Sequence, residues 1–131
     1  MNETSYIKSI HRQLSTDVYR WKINDRFTNG VADTWYCGNN GKHLFVEYKF
    51  VALPVRPTTV IKPDLSPNQV TWLTERRDQG IPVAVIVGSD EGGVLIGDLT
   101  LATEGMTCKK FKSVMLSKKE IARTIEGLVL L

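Results

Sequence analysis

Long apolar runs are missing from this sequence. No segment approaches the ~20 uninterrupted apolar residues of a membrane-spanning helix, and Met1-Asn2-Glu3-Thr4 lacks the basic and apolar regions of a secretory leader. The expectation is a cytoplasmic protein that makes no membrane contact. Cysteine is scarce: Cys37 and Cys108 are too few and too far apart for a zinc site. A reducing compartment also argues against a disulfide, so Cys37 reads as a small core residue. His11 and His43 lack ligand spacing with each other. No internal repeat or low-complexity segment is present, which excludes repeat architectures. Charge of one sign is not in large excess. With 17 basic and 14 acidic residues the net charge is +3, which permits nucleic-acid binding without demanding it.

What is there fits one small catalytic or binding domain spanning residues 1–131, long enough to bury one substantial core. The hydrophobic fraction of 42% and charged fraction of 24% are ordinary for a globular chain. Ile7, Ile10 and Leu14 recur at helical spacing and predict a helix over Glu3–Leu14, with Glu3 on the same stripe. Val18–Ile23 reads as a strand with Tyr19, Trp21 and Ile23 on one face, leaving Arg20 and Lys22 on the other. Those two either reach substrate or face solvent. Residues 51–65 contain three prolines and read as a long connection, either folded over a substrate or packed across a partner. Ser66, Pro67 and Gln69 form a clear helix start, with Ser66 as N-cap and Gln69 completing a capping box, and the helix ends near Gly80. Ile81–Gly88 is a continuous apolar run, the mark of a strand buried on both faces. Ser89–Gly93 turns it into a second strand over Val94–Asp98. That turn lacks the lysine and following helix of a phosphate-binding loop. Ser117 and Glu120 open a last amphipathic helix through Ile121, Ile125, Leu128 and Val129. The fold class is therefore α/β, a mixed central sheet of about five strands flanked by helices.

One hairpin carries the chemistry. Asp33–Cys37 and His43–Phe50 are rich in aromatic and β-favouring residues and are separated by the turn Gly38-Asn39-Asn40-Gly41-Lys42. Folded about Asn40, the hairpin sets Asp33 opposite Glu47, where antiparallel partners bring their Cβ atoms within roughly 5 Å. Period two then puts Lys49 on the face of Glu47 and Tyr48 on the other. Two opposed carboxylates destabilise a sheet unless a cation sits between them, and the residues expected around them are Trp35, Phe45 and Cys37. Hard oxygen ligands from one or two carboxylates are how Mg²⁺ is usually held. Lys49 beside such a centre can orient an attacking water and stabilise charge on a phosphate. The plain alternative is an exposed Glu/Lys pair on a strand edge. The apolar character of the rest of the strand speaks for a buried, functional pair.

Gly30-Val31-Ala32-Asp33 followed by Glu47-Tyr48-Lys49 resembles the PD-(D/E)XK nuclease superfamily. The surrounding sequence is most similar to its VRR-NUC branch of small stand-alone phage proteins, with Holliday-junction resolvases as close relatives. Trp21–Phe27 before the motif and Leu65-Ser66-Pro67-Asn68-Gln69 after it carry the resemblance further, over residues 1–88. Ala32 stands where the family usually has proline, a lost turn residue but not a lost ligand. The resemblance implies a restriction-endonuclease-like core and a metal-dependent endonuclease acting on DNA, structure-selective for branched or Holliday-junction substrates. Asp33, Glu47 and the carbonyl of Tyr48 would bind Mg²⁺ or Mn²⁺, and Lys49 would position or activate water. It also implies that a glutamate of the N-terminal helix joins the metal site, which Glu3 matches. A helix-dipole role is the plain alternative for Glu3, and the resemblance together with its place on the apolar stripe favours the metal site. The family's active-site glutamine at the start of the following helix matches Gln69, although capping alone accounts for it. A chain of phage origin would act in the host cytoplasm.

Arg26 in the loop before the motif, Arg56 and Lys62 in the Pro-rich connection, Arg76 on the second helix, and Lys109 and Lys110 near the C-terminus are the candidates for neutralising phosphates. For the clusters a solvated surface is an equally good reading, while Arg26 is the better phosphate candidate because loops at strand ends carry ligands more often. Paired cuts on branched DNA imply a homodimer, and the apolar end Leu128–Leu131 offers either an interface or packing on the chain's own sheet. Two other readings stay open: a sequence-preferring nicking or homing-type nuclease, and a non-catalytic DNA-binding protein of the same fold.

Overall fold

Alternation along the central strands decides the architecture. The computed structural model describes residues 1–25 and 27–130. In chain order these form α1 (Glu3–Gln13), β1 (Tyr19–Lys22), β2 (Thr34–Cys37), β3 (His43–Phe50), β4 (Val60–Ile61), α2 (Pro67–Asp78), β5 (Val83–Gly88), β6 (Gly93–Ile96), α3 (Leu99–Glu104), β7 (Met106–Thr107), α4 (Cys108–Val114) and α5 (Lys118–Val129). A five-stranded mixed sheet runs β1-β2-β3-β5-β6. Among the described residues only β3 and β5 pair in parallel, and α2 lies on the crossover between them.

The even-numbered side chains Leu44, Val46 and Tyr48 of β3, with Ala84 and Ile86 of β5, enter one core with Tyr6, Ile7 and Ile10 of α1 and Ile121, Ile125 and Val129 of α5. The odd-numbered Val83, Val85 and Val87 enter a second core with Leu73 of α2, Leu99 and Ala102 of α3, and Phe111 of α4. Every residue of β5 is buried, which is why its sequence is an unbroken apolar run. Burying the larger aliphatic side chains contributes about 1.5–3 kcal/mol each.

Capping sets the helix starts. Ser66 and Gln69 form the expected reciprocal box at α2, Ser117 and Glu120 do so at α5, and Asn2 with Ser5 closes a third at α1. Gly30 has a left-handed backbone, φ +82°, and a Cβ there would sit 2.2 Å from the Asn68 carbonyl oxygen. The loop into β2 therefore presses against the first turn of α2, an approach only glycine allows.

Several local expectations change. The 51–65 segment is not a free loop. Val60–Ile61 pairs with Met106–Thr107 as a two-stranded ribbon, and the amides of Cys108 and Lys109 donate to the carbonyls of Thr59 and Pro57. Residues 99–114, which sequence patterning leaves unassigned, hold α3, β7 and α4, each too short to show a helical or strand period. Arg20 reaches neither substrate nor solvent alone: its guanidinium donates to the carbonyls of His11, Ser15 and Val18 at 2.7, 2.8 and 3.2 Å. Val129 is buried against the sheet, so α5 packs on its own core and leaves Leu128 outside. No helix among the described residues is long and apolar enough to cross a membrane.

Candidate active site

The β2–β3 hairpin has the expected register. Thr34 pairs with Val46, Trp35 with Phe45, Tyr36 with Leu44 and Cys37 with His43, which is folding about Asn40. Asp33 stands one residue before β2, and its Oδ2 accepts from the Tyr48 amide at 2.9 Å. That bond ties Asp33 to the middle of β3. Tyr48 contributes its backbone to the site, while its ring lies in the first core with its hydroxyl 2.6 Å from that of Tyr36. Tyr36 in turn meets His11 Nε2 at 2.8 Å. The His11 imidazole is pushed down to about 4 by burial and the Arg20 and Lys22 charges, so it stays neutral in this chain of hydrogen bonds.

Glu47 is only 2% exposed. Its Oε2 accepts from Gln69 Nε2 at 3.1 Å and lies 3.7 Å from Lys49 Nζ, while its Oε1 is buried without a hydrogen-bond partner among the described residues. Gln69 serves two purposes at once. Its Oε1 accepts from the Ser66 amide as helix cap, and its Nε2 is then left pointing at Glu47. Glu3, from the first turn of α1, completes the group: carboxylate oxygens of Glu3, Asp33 and Glu47 all lie within 4.8 Å of one another. Since α1 packs on one face of the sheet and α2 on the other, the site is assembled from both sides.

The electrostatics follow from this crowding. Burial raises the Glu47 carboxyl to about 8, the Asp33 charge adds to the rise and the Lys49 ammonium opposes it. Glu3 is raised too, by burial and then by Asp33, with Lys49 and Lys22 pulling it down. Three converging carboxylates around an orphaned buried oxygen suit a hard divalent cation, for which oxygen donors of this kind are the usual ligands. A lone ammonium at 3.7 Å leaves most of that negative charge uncompensated.

The expected phosphate contacts do not gather here. Arg56, Lys62, Lys109 and Lys110 are exposed around the β4–β7 ribbon and the start of α4, and no hydrogen bond or ion pair joins them to the carboxylates among the described residues. Arg76 is half-buried, 5.1 Å over the Trp72 ring, donating to Gln79 and paired with Glu75. Arg26 lies outside the described residues. His43, at the start of the central strand β3, accepts from Trp35 Nε1 at 2.9 Å and meets the Trp35 and Phe45 rings edge to face, an aromatic packing position rather than a ligand.

The face around Asp33 and Glu47 also differs from expectation. Trp35, Phe45 and Cys37 are half-buried rather than sealed from solvent, and Trp21 beside them is 52% exposed. The sequence places Trp21 on a strand face with Tyr19 and Ile23 but carries no signal that β1 is the edge strand of the sheet, where Trp21 is left exposed.

No family model and no curated protein matches the chain. Among solved structures, Hjc from Archaeoglobus fulgidus, described as a Holliday junction resolvase from an archaeal hyperthermophile, aligns over 92% of this chain and 96% of its own, at 16% identity and a TM-score of 0.55. A structure described as a VRR_NUC domain aligns over 68% of this chain and 86% of that one, at 24% identity and a TM-score of 0.49. The nearly full-length likeness to Hjc shows that the two chains share a fold, an α/β core with a five-stranded mixed sheet flanked by helices, as expected from sequence.

Proposed function

We propose that this chain is a divalent-metal-dependent endonuclease that hydrolyses DNA phosphodiester bonds, with a preference for branched DNA. The observation that carries the reading is the meeting of Glu3, Asp33 and Glu47 from three separate elements, with Lys49 and Gln69 both on Glu47. The name of Hjc, a Holliday junction resolvase with which the chain shares its fold, supports branched DNA as substrate.

Asp33, Glu47, Glu3 and the Tyr48 carbonyl would hold Mg²⁺ or Mn²⁺, which when bound supplies Lewis acidity to the phosphate and lowers the pKa of a bound water. Gln69 holds the Glu47 carboxylate in place through Oε2 and leaves Oε1 free as a ligand. The Asp33 carboxylate is oriented by the Tyr48 amide. Lys49 carries an ammonium on the same strand face, where it hydrogen-bonds the attacking water and the phosphoryl oxygens and stabilises the charge that grows on them. In the hydrolysis the water oxygen forms the new P–O bond and gives up a proton. The bridging ester oxygen leaves with the electron pair of the broken bond and is protonated. Arg56, Lys62, Lys109 and Lys110, around the β4–β7 ribbon and the start of α4, would serve phosphates farther along the DNA, with Arg76 and Arg26 as the remaining candidates. Opposed cuts in a junction need two such sites, which a two-fold homodimer would provide.

The test is cleavage of four-way junction, flap and linear duplex DNA with Mg²⁺ or Mn²⁺, by the native protein and D33A, alongside sedimentation of the same preparations. Native protein is expected to cut junction or flap in preference to duplex, and D33A to lose at least a hundredfold in rate. Absence of cleavage with either metal refutes the enzyme reading. Strong sequence dependence on linear duplex replaces branch selectivity with a nicking or homing activity.

A further inference from the structure

Beside the carboxylates lies a cleft of about 470 Å³ between β1 and α2, walled by Trp21, Phe45 and Trp72 with Val31 at its side. Trp21 is 52% exposed on the edge strand, Tyr19 next to it is 59% exposed, and Phe27 in the adjoining loop is 97% exposed. Tryptophan is on average a highly buried residue, and contiguous exposed apolar surface marks a binding site. Behind Trp21 the aromatic surface continues, with Phe45 edge-on to Trp72 at 5.1 Å and Trp35 at 6.3 Å from Phe45.

Three residues of the cleft neighbour the proposed catalytic centre along their own elements, Val31 standing two residues before Asp33. Phe45 precedes Glu47 by two residues on the same face of β3, and Trp72 follows Gln69 by one turn of α2. Lys22 lines the cleft, and its charge acts on Glu3. Arg76 lies over Trp72. Among the described residues the one carboxylate lining the cleft, Asp25, accepts from the amides of Phe27 and Thr28 at 2.8 and 3.3 Å. Aromatic walls with cations at the rim suit a flat, uncharged π-system attached to an anionic backbone.

We propose that this cleft binds an unpaired nucleobase of the DNA strand whose phosphodiester lies at Glu3, Asp33 and Glu47, with Trp21 as the stacking platform. The proposal rests on the nuclease reading for its substrate and names that substrate more closely: DNA with an unpaired nucleotide next to the scissile bond. A base in intact duplex is held in its own stack and reaches the cleft only at the cost of unstacking, whereas an unpaired base at a flap or branch point has little of that cost. Stacking on an aromatic platform tolerates any base, so selection would be by strand structure and not by sequence.

The test is equilibrium binding in EDTA, where no cleavage occurs, of a labelled oligothymidine and a blunt duplex to native protein, W21A and W21F. Trp21 is a half-exposed edge-strand residue, so both variants are expected to fold, which a thermal melt checks. Native protein should bind oligothymidine with quenching of tryptophan emission. W21A should weaken that binding roughly tenfold, W21F should keep most of it, and duplex binding should be equal in all three. Unchanged oligothymidine binding by W21A overturns the proposal, and so does an equal loss on both DNAs. Dissociation of a native dimer by W21A assigns the cleft to a second copy of the chain and overturns it too. If W21A binds normally while native protein cleaves DNA, the nuclease reading stands without the cleft. If W21A loses oligothymidine binding while no substrate is ever cleaved, the base-binding cleft stands and the nuclease reading falls. Failure of the native protein to bind oligothymidine overturns the cleft proposal, while the nuclease reading stands or falls on cleavage with Mg²⁺ or Mn²⁺.

Discussion

At Glu47 burial and charge act against each other. Removing a carboxylate from water and setting it beside Asp33 favours the protonated form, and the Lys49 ammonium only partly offsets this, leaving the carboxyl near 8. The folded pKa is raised above the ordinary value of 4.5, so the folded protein holds this proton more tightly than the unfolded chain. Its contribution to stability is complete below pH 4.5 and is lost as the pH rises through about 8. E47Q keeps the shape without the titration. In metal-free buffer, urea denaturation across that window should show native protein losing stability with rising pH while E47Q loses less. Equal slopes for the two would mean that Glu47 is not the group responsible. Gln69 illustrates why a residue's role can be half-legible: the capping box is a local pattern, but the 3.1 Å bond to Glu47 joins segments 22 residues apart.

Among the elements, the loop 27–32 and the first turn of α2 are coupled through a single glycine. At Gly30 a side chain meets both a left-handed backbone and the Asn68 carbonyl. G30A should cost at least about 1–3 kcal/mol from the backbone strain, measured by urea unfolding. It should also lower cleavage further than stability alone requires, because pushing Asn68 away displaces Gln69 from Glu47. Native-like stability in G30A would show that the close approach is not needed. The elements with strong local signals were readable in advance: the β2–β3 hairpin from its turn and strand composition, α2 and α5 from their capping boxes, and β5 from its apolar run. The β4–β7 ribbon was not, since two-residue strands have no period and their pairing joins Val60 to Thr107 across the chain.

For the molecule as a whole, the site is where the two cores meet. Glu3 arrives on a helix of the first core, Gln69 on a helix of the second, and Asp33 and Glu47 come from the sheet between them. A cation held there binds only the assembled protein, so it stabilises by mass action, about 2.7 kcal/mol at a hundred times its dissociation constant. Saturating Mn²⁺ should therefore raise the melting temperature of native protein and not that of D33N. The rise should be larger above pH 8 than below it, because the Glu47 proton must leave before the ion binds. A melting temperature indifferent to Mn²⁺, or equally raised in D33N, would separate the acidic cluster from metal binding. Sequence by itself determined the hairpin register that brings Asp33 toward Glu47, the shared face of Lys49 and the caps of α2 and α5, because turns, period two and capping act over a few residues. Only the tertiary structure decided that Glu3 closes the carboxylate group, that Gln69 reaches across to Glu47, and that Trp21 and Trp72 stand open beside them. Those juxtapositions come from how two layers of helices pack on one sheet, an outcome of whole side-chain volumes and of which sheet surface the helices leave uncovered.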